Sequence, residues 1–249
     1  LIPSKIVSSP SPVTTVLRTS EAFIMRNLNS SGSIAFITKL IQPYHCLISI
    51  AILCLSTSLV TAEPSKSILV FGDSISASYG MNPKDGWVQL FSDRIEQEFT
   101  QFKVVNASIS GETTGGGLVR ISQALDTYRP DLVIVELGGN DGLRGYPTTR
   151  IKDNLTQIIR QCQDAGADVL LIGMILPANY GYRYTQAFQD LYQEVAETNQ
   201  VVYFIPVLLQ GPTTPRTLLQ QDGIHPTVEA QPMILGNIWP LLLNWLNTN

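Results

Sequence analysis

The chain has 249 residues, 44% of them hydrophobic, with 16 Lys and Arg against 20 Asp and Glu for a net charge of −4. That length fits one domain with appendages, and an acidic balance without basic clusters offers a phosphate backbone nothing to hold, so nucleic acid is excluded as an expected partner. Of the 3 cysteines only Cys162 lies beyond residue 62, which excludes an internal disulfide framework in the remainder.

In chain order, the first feature is the stretch from Tyr44 to Ala62, free of charge and rich in Leu, Ile, Ala, Ser and Thr, with Arg26 and Lys39 upstream and Val60-Thr61-Ala62 at its end. A basic start, an apolar centre and a small-residue end are the parts of a secretory signal. Residues 1–62 are therefore expected to be an N-terminal extension and signal peptide, starting at Met25 and cleaved after Ala62, with export to the periplasm or beyond the cell. The apolar run Leu47–Leu55 is shorter than the ~17–25 residues a spanning helix needs, so no stable membrane span is expected in the mature form. Residues 63–249 hold every acidic residue but Glu21 and form one expected domain, with no internal repeat and no second boundary.

Within that domain, short apolar runs recur at Ile68–Phe71, Val104–Val105, Leu132–Val135, Val169–Ile172 and Val201–Ile205. Strands apolar on both faces belong to a parallel sheet covered by helices on each side. Between the third and fourth runs, Ile151, Leu155, Ile158, Ile159 and Cys162 fall at helical spacing and form one buried stripe, with Cys162 as packing rather than as a reactive thiol. Alternation of strand and helix through to a final helix predicts a three-layer α/β/α sandwich with right-handed crossovers. Ligands of such sheets bind outside the carboxyl ends of the strands.

Four segments follow strands and carry chemistry. The first strand runs into Gly72-Asp73-Ser74-Ile75-Ser76, where a serine on a tight strand-to-helix turn presents its hydroxyl at the sheet edge and its N–H to the crevice; a helix-capping serine is the other reading of these residues alone. No G-x-S-x-G pentapeptide is present, which removes the usual α/β-hydrolase elbow. The second strand is followed by Asn106-Ala107-Ser108-Ile109-Ser110-Gly111-Glu112-Thr113, where Gly111 lets a backbone N–H approach a ligand with no Cβ in the way. The run Gly115-Gly116-Gly117 blurs the start of the next helix and receives no role. After the third strand, Gly138-Gly139-Asn140-Asp141-Gly142 can project the Asn140 amide into the crevice as a donor. Near the C-terminus, Asp222-Gly223-Ile224-His225-Pro226 contains the single histidine beyond residue 62, the other being His45. A serine hydrolase near neutral pH wants an imidazole base, and Asp222, three residues upstream, can reach Nδ1–H and turn Nε2 toward the serine.

Gly72-Asp73-Ser74, Gly111, Gly139-Asn140-Asp141 and Asp222-x-x-His225 resemble, in order, the sequence blocks of the GDSL/SGNH hydrolases. The likeness extends over nearly all of residues 67–246, including Val105–Glu112, Glu136–Gly145 and Leu176–Tyr180, and is greatest to the periplasmic thioesterase I, lysophospholipase L1 and arylesterase group. Ile75 replaces the leucine that names the motif, and the glycine run after Thr114 is a second departure; neither touches a reacting atom. The resemblance implies a flavodoxin-like SGNH hydrolase fold with a five-stranded parallel sheet. It also implies a Ser74, His225 and Asp222 triad, an oxyanion hole made by the N–H groups of Ser74 and Gly111 and the Asn140 amide, and a supporting Asp73.

The implied reaction is hydrolysis of carboxylic esters and thioesters, namely aryl esters, acyl-CoA thioesters and lysophospholipids, through an acyl-enzyme and with no cofactor. Its substrate partner is a small-molecule acyl ester or thioester. The segments Gly142–Pro147 and Pro177–Tyr184 are expected to wall the acyl pocket. Alternatives from other classes are a carbohydrate acetylesterase using the same residues, a metal-dependent phosphoesterase recruiting Asp73, Asp141 and Asp222, and a non-catalytic lipid- or sugar-binding module. Substrate profiling, chelator sensitivity and labelling by a fluorophosphonate separate these alternatives. Oligomeric state is not legible.

Overall fold

In the computed structural model the described residues are 66–206, 208–209 and 215–249; the expected signal segment, its start and its cleavage site lie outside them. Five strands, β1 (Lys66–Gly72), β2 (Phe102–Asn106), β3 (Leu132–Glu136), β4 (Asp168–Ile172) and β5 (Tyr203–Ile205), form one sheet in the order β2-β1-β3-β4-β5. Every pairing is parallel. Chain direction across the sheet reverses between β1 and β3, and the crevice of such a doubly wound sheet opens at the carboxyl ends of those two strands.

Alternation of side chains along each strand feeds two cores. Leu69, Phe71, Val133, Val135, Val169 and Leu171 face α2 (Thr114–Tyr128), α4 (Thr148–Asp164) and α5 (Tyr182–Thr198). Ile68, Val70, Leu132, Ile134, Leu170 and Ile172 face α1 (Trp87–Glu98) and α6 (Gln231–Thr248). The predicted stripe of Ile151, Leu155, Ile158, Ile159 and Cys162 is the fully buried face of α4. At ~1.5–3 kcal/mol for each large apolar side chain removed from water, these two layers hold the central strands rigid, and the strand ends inherit that rigidity. The α/β/α sandwich and its five parallel strands are as the sequence leads one to expect.

Three local features depart from the sequence reading. No helix follows Ser74 directly: residues 74–80 form turns, and α1 begins only at Trp87. One helical bond, from the Ala77 N–H to the Asp73 carbonyl at 2.9 Å, starts a helix that Ser78 ends by entering the left-handed region at φ 60. β5 starts at Tyr203 rather than Val201, because α5 closes in a Schellman turn: Gln200 sits at φ 52, and the Val201 N–H donates to Ala196 at 3.2 Å, which withdraws it from the sheet. The glycine run does have a role. α2 starts at Thr114, just ahead of the run, and carries it in its first turn, capped by Thr113 accepting from the Gly116 N–H; a Cβ on Gly117 would stand 2.6 Å from Leu137 Cδ1, so glycine lets α2 lie close on the sheet. Among the described residues no helix is long and apolar enough to cross a membrane.

Candidate active site

Three of the predicted segments meet at the carboxyl ends of β1, β2 and β3, and the fourth arrives from the loop before α6. β1 delivers Gly72, Asp73 and Ser74. The Gly72 N–H donates to Ser108 Oγ at 3.1 Å, and its carbonyl accepts from the Ile109 N–H at 3.1 Å, so the β2–α2 loop is tied to the end of β1. Asn106 extends the tie with a 2.8 Å bond to the Ser76 carbonyl. That loop ends at Gly111, whose φ of 80 requires glycine although a Cβ would meet nothing within 4 Å.

After β3, Gly138 at φ 117 turns the chain into a short helix, α3 (Gly139–Leu143), on which Asn140 and Asp141 sit. Asp141, 1% exposed, accepts from the Thr114 N–H at 2.8 Å and from its hydroxyl at 2.7 Å. A carboxylate at the start of α2 is favoured by the helix dipole, and this one locks the Asn140 segment to the Gly111 loop.

The polar groups converge. Ser74 Oγ lies 2.8 Å from His225 Nε2, and His225 Nδ1 lies 2.6 Å from Asp222 Oδ2. Asp222 Oδ1 also accepts from the backbone N–H groups of Ile224 at 2.9 Å and His225 at 3.0 Å. Burial tends to raise the Asp222 carboxyl, but the hydrogen bonds from the His225 ring and from these two N–H groups, with the charge of the imidazole, outweigh it and hold it below the usual carboxylate range. Asn140 Nδ2 donates to Asp73 Oδ2 at 3.1 Å, which leaves its second N–H for the cleft. Among the described residues the backbone N–H groups of Ser74 and Gly111 meet no acceptor. Asp73, Ser74, Gly111, Asn140 and His225 thus line one crevice, and Asp222, the sixth predicted site residue, is joined to it through His225.

Two carboxyls lie under the turn that carries Ser74, and sequence reading assigned no part to one of them. Glu136, 0% exposed at the end of β3, accepts through Oε2 from the Asp73 N–H at 3.2 Å and from the Ser76 hydroxyl at 2.7 Å, while its Oε1 has no partner among the described residues. The one available signal was an acid closing an otherwise apolar buried strand. A Cβ on Gly72 would stand 2.5 Å from Oε2, so the glycine of the motif makes room for this carboxyl. Burial raises Asp73 to about 6, opposed by the Ile75 N–H, the His225 charge and the Asn140 amide. Burial, then repulsion from Asp73, raises Glu136 well above its ordinary value of 4.5. A raised folded value means that Glu136 contributes stability fully below 4.5, and that the contribution is lost as pH climbs toward the folded value. Glu136→Gln cannot ionise and escapes that loss. Its melting temperature relative to the wild type is expected to rise between about pH 4 and pH 8 in thermal scans, and a pH-independent difference would count against a buried, proton-holding Glu136.

The cleft above these groups has a volume of about 770 Å³. Leu143 comes from the first predicted wall and Pro177, Ala178 and Tyr182 from the second, as expected; Met174 and Leu176 extend that side, and Leu208, Leu209, Leu219 and Ile224 supply an opposite wall that the sequence did not disclose. The three aspartates that a metal site would recruit are otherwise committed: Asp73 to Asn140 and Ile75, Asp141 to Thr114, Asp222 to His225. They form no metal-holding group among the described residues. The arrangement can pass a serine proton to an imidazole beside a set of unpaired donors, in a cleft with apolar sides.

Comparison with known proteins gives the family of the chain. Residues 70–231 match the model of the GDSL-like Lipase/Acylhydrolase family. Esterase TesA of Pseudomonas aeruginosa is 44% identical over 190 residues, 76% of this chain and 94% of that protein. Thioesterase 1/protease 1/lysophospholipase L1 of Escherichia coli K12 is 40% identical over 173 residues, 70% of this chain and 81% of that protein. Among solved structures, the psychrotrophic esterase EstA from Pseudoalteromonas, in a form inhibited by monoethylphosphonate, superposes with a TM-score of 0.69 at 37% identity, covering 73% of this chain and 99% of that one. With its sandwich fold, its motif order and these relatives, the chain belongs to the GDSL-like lipase/acylhydrolase family and is a hydrolase of the GDSL type.

Proposed function

We propose that the chain is an exported serine esterase that hydrolyses carboxylic esters and thioesters, with aryl esters, acyl-CoA thioesters and lysophospholipids as its substrate class. One observation carries the reading: the unbroken hydrogen-bonded chain from Ser74 Oγ through both ring nitrogens of His225 to Asp222, at 2.8 and 2.6 Å. Ser74 Oγ attacks the acyl carbonyl while His225 Nε2 takes its proton, and the same proton passes to the leaving alkoxide or thiolate as the acyl-enzyme forms. Water then attacks the acyl-enzyme with His225 again as base, releasing the acid and restoring Ser74. Asp222 holds the ring in the tautomer with hydrogen on Nδ1 and stabilises the imidazolium. The oxyanion is met by the N–H groups of Ser74 and Gly111 and by the Asn140 amide, each such donor being worth ~3–4 kcal/mol in the transition state. The mechanism needs no cofactor.

Substrate class is supported by the apolar cleft walls of Leu143, Met174, Leu176 and Pro177, which suit a fatty or aromatic group, and by the activities that the relatives' names carry. Export is supported by the sequence pattern of residues 1–62. A panel of p-nitrophenyl esters, acyl-CoA thioesters, lysophospholipids and acetylated sugars tests the class: turnover confined to acetylated sugars would move the assignment to a carbohydrate acetylesterase.

A further inference from the structure

The contact between Ser74 and His225 joins two segments that share no regular secondary structure: the turn at residues 73–80 and the loop at residues 219–226. A 2.8 Å bond needs the two registered to within a few tenths of an ångström, because a proton cannot pass efficiently across a misplaced pair. Gln220 spans the gap. Its Nε2 donates to the Tyr79 carbonyl at 2.8 Å and to the Pro226 carbonyl at 3.0 Å, and its backbone N–H donates to the His225 carbonyl at 2.7 Å. On the far side of that clamp, the Tyr79 N–H donates to the Ser74 carbonyl at 3.0 Å. The path from nucleophile to imidazole therefore runs Ser74, Tyr79, Gln220, His225 through hydrogen bonds alone.

The turn is shaped for this contact. Ser78 at φ 60 and Gly80 at φ 75 bracket Tyr79, and any Cβ on Gly80 would run into Gln220 Oε1. Tyr79 also lays its ring against the imidazole, with centroids 4.5 Å apart and planes inclined at 40°, so fixing its backbone fixes one face of the ring. Bonds internal to the loop, such as the Gly223 N–H to the Gln220 carbonyl at 2.9 Å, set the shape of the loop but not its register against the turn. The Gln220 amide does both.

We infer that Gln220 is a positioning residue that holds the His225 loop in register with the Ser74 turn. The inference rests on the proposed reading of Ser74 as nucleophile and His225 as base. Two variants keep the side-chain length: Gln220→Met removes both side-chain bonds, and Gln220→Glu turns a carboxylate toward two carbonyl oxygens. On a soluble p-nitrophenyl ester, kcat is expected to fall about 10-fold for the first and about 100-fold for the second, with KM within about 2-fold of the wild type. A fluorophosphonate probe should reach the same final labelling of Ser74 in all three proteins, at rates reduced in proportion to kcat. Equal final labelling separates misregister from unfolding, which would lower the labelled fraction instead. Unchanged kcat and labelling rate in both variants overturns the inference, and so does a change confined to KM or to the labelled fraction. Wild-type protein that hydrolyses the ester without labelling at Ser74 overturns the reading of Ser74 itself, and the role of Gln220 with it.

Discussion

Ser74→Ala is expected to lower kcat on aryl esters and acyl thioesters by on the order of 10⁶ while the protein stays folded. The side chain contributes one hydrogen bond, to His225 Nε2, in a residue that faces the cleft, where water can replace it. The turn that carries it is held by other groups. Asp73 anchors to Glu136 through its N–H and to Ala77 through its carbonyl, and the Ser74 carbonyl still receives the Tyr79 N–H. Melting temperature should therefore move by only a few degrees, the scale of losing about one hydrogen bond. The donors that remain leave a rate about 10³–10⁴ above uncatalysed hydrolysis. Activity retained at the wild-type level in a folded variant, with covalent labelling by a fluorophosphonate also retained, would remove the acyl-enzyme mechanism.

Asn140→Ala should reduce kcat by about 10²–10³ with KM nearly unchanged. One N–H of the Asn140 amide is spent on Asp73 at 3.1 Å, which leaves the other for the cleft, where the proposed mechanism develops negative charge. The loss has a second part. Without the amide, Asp73 Oδ2 loses its donor while remaining 2% exposed, so a carboxyl already raised to about 6 by burial is pushed further up. The part of the kcat loss that comes from the missing donor should persist across the pH range where chemistry limits, since that donor has no titration of its own. Steady-state kinetics of the variant decide this, and a change in KM alone contradicts the oxyanion role.

Strand positions were legible because their burial is two-sided: Ile68 to Phe71, Leu132 to Val135 and Val169 to Ile172 are apolar on both faces, and runs this short and rich in Val and Ile suit a buried strand rather than a buried helix. The candidate site was legible because doubly wound sheets concentrate function at strand ends, and because only one histidine follows residue 62. What escaped reading depends on contacts between distant segments. Glu136 could be seen as an acid in an apolar strand, but nothing in the sequence ties it to the Asp73 N–H and the Ser76 hydroxyl. Gln220 gave no signal, since an amide in a polar loop is ordinary until its two acceptors, Tyr79 and Pro226, are known. β5 was overextended because Val201 and Val202 read as strand by composition, while the preceding helix needed the Val201 N–H for its own closure. The helix expected after Ser74 failed for a related reason: the positive φ at Ser78 serves the Tyr79 carbonyl, a tertiary demand that local preference cannot express.

The thiol of Cys162, sealed under α4 with 0% exposure and pushed up to about 12 by burial, has a practical corollary. It is the sole sulfhydryl in residues 63–249, and as a neutral thiol out of solvent it stays silent toward alkylating reagents until the helix lifts from the sheet. Its rate of capture by such a reagent is therefore a stopwatch for native-state opening, free of any signal from active-site chemistry. In an oxidising medium the same seal guards against covalent pairing of two chains, which becomes open only to molecules that have already lost this layer of the sandwich.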